Sequence, residues 1–289
     1  MKTTSLNRRQ FIGTLMTATA GLALTRSFAA EPRWQIGCYT RPWGQFDYRV
    51  SLDAIAEAGF KYAGLMTTNS KNKLIISVTT TPEEAAAIGG EVKQRGMKVI
   101  SLWGGSFKQT EELKRLIDNC VACGCPHLLL GGTNEKQADA YYKIVAECCD
   151  YAASKKVGLS VKPHGGNNAN GKQCGEIIKK IGHKNFGLWY DPGNVFFYSG
   201  GELDPVKDAA DVDGIVVGMS VKDFRPPKEV MLTPGTGKVD FPKVMARLKQ
   251  GGFTGGPLVV ECLELGELPH LKAEAVKARE FLEKLTRAL

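Results

Sequence analysis

Long apolar runs are absent from this sequence. No stretch of about 18 consecutive apolar residues occurs anywhere in the 289 residues, which excludes a membrane-spanning helix. Histidine is scarce, with four in all: His127, His164, His183 and His270. Neither a Gly-x-Gly-x-x-Gly fingerprint nor a P-loop pattern is present, so nucleotide binding has no sequence support. A strong excess of one charge is lacking as well, although the formal total of +8 suggests otherwise. Lys2, Arg8, Arg9 and Arg26 lie in an N-terminal leader that has no acidic residue, and the rest of the chain carries 34 basic against 30 acidic side chains. That balance argues against nucleic acid or an anionic membrane as a partner. The remaining composition, 43% hydrophobic and 24% charged, excludes a disordered or collagen-like chain.

Residues 1–30 have the parts of an export signal: a basic start, an apolar stretch from Ile12 to Leu24, and the small residues Ala29 and Ala30 for cleavage. Asn7-Arg8-Arg9-Gln10-Phe11-Ile12 resembles the twin-arginine signal. The resemblance implies engagement by the twin-arginine export machinery, a periplasmic location, and a mature protein of residues 31–289 with no membrane anchor. Eight cysteines in an exported protein invite disulfides, but their positions favour core packing. Cys38, Cys123, Cys125 and Cys262 sit in or beside apolar runs, and Cys148 and Cys149 are adjacent in a helical stretch. The cluster from Cys120 to Cys125 lacks the second pair or the histidines of a zinc site.

Short apolar segments alternate with longer stretches of helical period, the pattern of parallel strands joined by crossover helices. The expected strands are Gln35–Tyr39, Tyr62–Met66, Lys98–Leu102, His127–Leu130, Leu159–Lys162, Phe186–Tyr190, Gly214–Ser220 and Leu258–Glu261. Thr81-Pro82-Glu83-Glu84 has the makings of a helix start, and Gly96 of its stop. The final helix places Leu271, Ala275, Ala278, Leu282 and Leu285 on one stripe. No linker divides the chain, so eight units predict a single α/β domain, the closed (β/α)8 TIM barrel, over residues 31–289.

In such barrels chemistry sits at the carboxyl ends of the strands, which selects Tyr39, Arg41, Trp103, Lys162, His164, Asp191, Asn194, Ser220, Lys222, Asp223 and Glu261. Pro257-Leu258-Val259-Val260 is a buried run that ends in the carboxylate of Glu261. Asp191-Pro192-Gly193-Asn194 follows another strand, and turn chemistry alone could account for it. Lys162 and His164 are two apart, so on a strand both can face the barrel mouth.

These residues carry a resemblance to the sugar phosphate isomerase/epimerase family of xylose isomerase-like barrels. Supporting motifs are Gly59-Phe60-Lys61-Tyr62-Ala63-Gly64-Leu65, Cys123-Gly124-Cys125-Pro126-His127, Asp191-Pro192-Gly193-Asn194, Val221-Lys222-Asp223, the loop from Pro234 to Phe241, and Gly252-Phe253-Thr254-Gly255 leading to Glu261. The resemblance implies a divalent metal on a glutamate, an aspartate, a histidine and a glutamate after strands five to eight. Asp191 and Glu261 match two of these, whereas Lys162 and Ser220 occupy the other two positions.

Two arrangements are consistent with that departure. In one, the Lys162 ammonium lies between Asp191 and Glu261 in place of the metal. In the other, manganese, zinc or iron is held by Asp191, Glu261 and His164. The family resemblance implies proton abstraction alpha to a sugar carbonyl, here with Glu261 as base and Lys162 or His164 as acid or electrophile. Export favours a free sugar, keto-sugar or glycoside over a phosphorylated one. Tyr39, Trp43 and Trp103 are expected as walls for the sugar, and Asn194, Lys222 and Asp223 as further substrate contacts. A barrel that binds sugar without turnover, and a keto-glycoside lyase or hydratase, are the alternatives. An endonuclease-like barrel needs several histidines at strand ends, and His164 alone is well placed.

Overall fold

The computed structural model describes residues 31–289, so the expected leader over residues 1–30 lies outside the described residues. The eight strands are β1 (Trp34–Tyr39), β2 (Tyr62–Leu65), β3 (Lys98–Trp103), β4 (His127–Leu130), β5 (Gly158–Val161), β6 (Phe186–Tyr190), β7 (Val216–Val221) and β8 (Gly256–Val260). Every strand begins and ends within two residues of its expected bounds. Each pairs in parallel with its neighbour, and β8 returns to β1 through a register running from Trp34 opposite Gly256 to Cys38 opposite Val260. The closed barrel read from the alternation is the barrel observed.

The outer layer consists of α1 (Tyr48–Glu57), α2 (Pro82–Gln94), α3 (Thr110–Cys123), α4 (Ala138–Ser154), α5 (Gly171–Ile181), α6 (Pro192–Tyr198), α7 (Pro205–Asp208), α8 (Phe241–Gln250) and α9 (Leu268–Arg287). Local chemistry sets their ends. The Thr81 hydroxyl accepts from the Glu84 amide at 3.2 Å while Glu84 accepts from the Thr81 amide at 2.8 Å, a reciprocal cap for α2. In α9 the expected stripe of Leu271, Ala275, Ala278, Leu282 and Leu285 is buried against the barrel. Among the described residues no helix is long and apolar enough to cross a membrane.

Two apolar cores result. The larger joins helix and outward strand residues, and it takes in Cys38, Cys120, Cys123, Cys125, Cys148, Cys149 and Cys174. All eight cysteines are buried free thiols. A smaller cluster of Tyr39, Tyr62, Met66, Ile100, Leu129, Trp189 and Val259 comes from the strands and their ends and fills the barrel interior. Trp189 and Val259 each stand two residues before a carboxylate, Asp191 and Glu261, so the pleat carries those carboxylates inward one layer higher.

Candidate active site

Four charged side chains alternate in sign at the carboxyl ends of β5 to β8. Lys162 Nζ lies 3.0 Å from Asp191 Oδ2 and 2.6 Å from Glu261 Oε2. Lys222 Nζ lies 3.3 Å from the same Asp191 oxygen and 2.7 Å from Glu261 Oε1. All four are buried, and none is more than 3% exposed. Charges so far from water persist only when paired and hydrogen-bonded, and here each ammonium touches both carboxylates.

The surrounding backbone fixes this ring. Asp191 caps α6, its Oδ1 accepting from the Asn194 amide at 2.9 Å, which leaves Oδ2 for the lysines. The Asn194 side chain donates to the Pro163 carbonyl at 2.7 Å and accepts from Lys222 Nζ at 3.0 Å, bracing β5 against β7. A Cβ on Gly193 would come within 2.7 Å of the Lys222 carbonyl oxygen, so a glycine is required where α6 meets the end of β7. Asp191-Pro192-Gly193-Asn194 therefore does more than turn the chain: it locks an acid, an amide and a close backbone approach together.

Electrostatics follow from the pairing. Burial alone would raise the Glu261 carboxyl, but the Lys162 and Lys222 ammoniums together outweigh it and hold the group well below the usual carboxylate range. Burial alone would lower Lys222, and Asp191 with Glu261 outweighs that, so its ammonium is held above its ordinary value. Both groups stay ionised through the neutral range.

Above the ring opens a cavity of about 260 Å³. Lys162, Lys222, Glu261, Asn194, His164, Trp103 and Arg41, seven of the residues selected at the strand ends, line it. His164 stands exposed at the rim between Trp103 and Tyr198, with ring centroids 5.4 and 5.8 Å away. Desolvation first, and then the charges of Lys162 and Lys222, lower its pKa to about 4, so the imidazole is neutral at ordinary pH.

Other expectations need correcting. Asp223 turns away from the cavity, because neighbours on a strand point to opposite sides and Lys222 takes the inward one. Its carboxylate accepts from the Phe224, Gly235, Gly237 and Val239 amides at 2.8 to 3.1 Å, which clamps the loop that follows. Tyr39 sits deeper in the barrel and donates to Ser101 Oγ at 2.8 Å. Trp43 packs in the outer core rather than against the cavity. Met66, Thr67, Phe197, Tyr198 and Val230 also form the wall and were not anticipated. The signs of them in the sequence were Met66 as the last residue of an expected strand and the aromatic pair Phe197-Tyr198 soon after Asn194.

The donor set does not fit a divalent cation. Every Asp191 and Glu261 oxygen already accepts a hydrogen bond or faces an ammonium, and a dication there would meet two fixed positive charges. Asp191, Glu261 and His164 do not gather their donor atoms within 4.8 Å; among the described residues only Glu264, His270 and Glu274 do so. That group lies beside α9, and its Glu274 is already bonded to Lys277 at 2.5 Å and to Thr233. The Lys162 arrangement drawn from the sequence is the one present, with Lys222 as an unforeseen second cation. Ser220 is buried on β7, and its hydroxyl has no partner.

Comparison with known proteins agrees with this fold. Among solved structures the chain resembles a xylose isomerase domain protein from Planctomyces limnophilus, with 19% identity, TM-score 0.69, and coverage of 89% of this chain and 99% of that one. It also resembles a D-allulose 3-epimerase from Methylomonas sp., with 18% identity, TM-score 0.68, and coverage of 88% and 98%. A third is a xylose isomerase-like TIM barrel protein from Mycobacterium smegmatis in complex with magnesium, with 17% identity, TM-score 0.71, and coverage of 89% and 98%. No curated protein matches the chain. The model of the xylose isomerase-like TIM barrel family matches residues 52–285, and the chain belongs to that family.

Proposed function

We propose that this protein is a sugar isomerase or epimerase that acts on a free, unphosphorylated keto-sugar in the periplasm, with a lysine pair in place of a metal. The observation that carries the reading is that both ammoniums contact Glu261 at the floor of the cavity. Glu261 takes the proton alpha to the sugar carbonyl, and negative charge appears on the substrate oxygen. Lys162 and Lys222 then compensate that oxygen instead of the carboxylate. The countercharge is already buried beside the reacting carbon before the step begins. Neutral His164 carries a proton between the two oxygens, and Trp103 and Tyr198 hold the apolar face of the sugar. The sugar-epimerase names among the structural neighbours support the reaction class.

Deuterium uptake from solvent at the alpha carbon, followed by NMR over a panel of free ketoses and aldoses, tests the reading. Uptake by wild type and a loss of at least about a thousandfold in Glu261→Gln are expected. Uptake unaffected by Glu261→Gln removes that base. Activity that disappears with chelator and returns with one divalent ion per chain removes the lysine pair. Both Glu261 oxygens are occupied, which favours a second reading, a barrel that binds sugar without turnover; binding with no uptake on any sugar would establish it. Elimination products in place of isomers would indicate the lyase or hydratase alternative.

A further inference from the structure

The charged ring is neutral by itself, but a third cation stands over it. Arg41 lies in the single helical turn after β1 and lines the cavity with Lys162 and Lys222. Among the described residues it has no ion pair. Its Nη1 donates to the sulfurs of Cys262 and Met231, the latter at 3.4 Å. Sulfur is a weak acceptor, so these contacts give the guanidinium no carboxylate partner. The nearest acids acting on Arg41 are Glu261 and Asp191, and both are already matched by the lysines. Three cations, Lys162, Lys222 and Arg41, face two carboxylates, Asp191 and Glu261, and one positive charge is left over.

Arg41 also lines a second groove with Met231, Leu265 and Leu271, in which Lys73 and Glu267 are the other charged residues. A sugar whose reacting carbon rests on Glu261 can therefore direct its far end toward the guanidinium. Among the described residues the Arg41 Nε and Nη2 donors have no hydrogen-bond partner, and a guanidinium offers a planar fork that suits a carboxylate.

We infer that the substrate is a sugar carrying one carboxylate, a ketouronate or related sugar acid, whose carboxylate is taken by Arg41. The inference rests on the isomerase reading for the position of the reacting carbon. A single surplus charge suits a carboxylate better than a phosphate monoester, which carries about −1.5 to −2 at neutral pH.

Calorimetric titration of the purified protein with D-fructuronate, D-fructose and D-fructose 6-phosphate tests this. Wild type is expected to bind the uronate at least about tenfold more tightly than the ketose, and more tightly than the phosphate. In Arg41→Met the uronate-to-ketose ratio falls to near one, and in Arg41→Lys it lies between the two. A wild-type ratio near one, the same ratio in Arg41→Met, undetectable uronate binding, or tighter binding of the phosphate overturns the inference. Should Arg41→Met fail to fold, the wild-type ranking and Arg41→Lys still decide. Deuterium uptake on the same samples separates the two levels. Uptake without a uronate preference removes the Arg41 assignment alone, whereas a preference without uptake removes the isomerase reading alone.

Discussion

Two buried carboxylates at neighbouring strand ends, Asp191 and Asp223, are stabilised by opposite means. Asp191 divides its oxygens between one backbone amide and two ammoniums, while Asp223 is held by four backbone amides. Neither is exposed to water. Amides are fixed by the fold and can release nothing, so the Asp223 region is a clamp. Ammoniums on long stems can exchange one anion for another, so the Asp191 region can respond to a ligand.

Breaking the ring has the largest expected effect. Lys162→Met leaves Asp191 and Glu261 short of one ammonium, and a loss of about 3–5 kcal/mol in stability is expected. Lys162→Met combined with Glu261→Gln regains part of that loss, because the charges are removed in balance. Denaturant unfolding of the two single variants and the pair measures the coupling. Next comes the clamp. Asp223→Asn loses acceptors for charge-assisted bonds and is expected to cost about 2–3 kcal/mol, with faster proteolysis between residues 233 and 239. Deuterium uptake by the folded fraction is expected to persist, which would distinguish clamp from ring. Smaller still is Tyr39→Phe, which removes one neutral hydrogen bond to Ser101 and is expected to cost about 1 kcal/mol in thermal or denaturant unfolding.

The smallest effect is one of pH. His164 is neutral in the folded protein down to about pH 4, and Glu261 remains ionised well below that of a free carboxylate. Substrate turnover is therefore expected to be level from about pH 6 to 9, without the break near 6.5 that an ordinary histidine gives. In the unfolded chain His164 takes up its proton first. Stability accordingly declines as pH falls from about 6.5 toward 4, with a further loss at lower pH as Glu261 protonates. Denaturation midpoints of wild type and His164→Asn over this range check the sign, and the variant should show the shallower decline.

Much of this was legible in the sequence. Strand positions followed from runs such as Phe186–Tyr190, and Asp191 and Glu261 followed from what terminates those runs. The role of Lys222 did not, because its contact with Glu261 exists only once β7 and β8 pair side by side. Parity along the strand was available to separate Lys222 from its neighbour Asp223 and would have sent Asp223 outward. Tyr39 has the right direction but the wrong depth, and depth depends on barrel stagger, which spacing within one strand does not encode. Arg41 was visible as a strand-end cation, yet its lack of a carboxylate partner is a property of the assembled mouth.

The order in which the ring's members occur along the chain bears on its synthesis. Lys162, Asp191 and Lys222 all precede β8, and Glu261 lies 99 residues beyond Lys162. A nascent chain that has emerged only through α8 holds two lysines against one aspartate where the barrel will close. Burial at that stage would leave a bare ammonium in an apolar interior, which disfavours closing the upper rim before β8 arrives. Arrival of the last strand supplies both the missing edge and the missing negative charge, so both come from roughly the final eighth of the polypeptide.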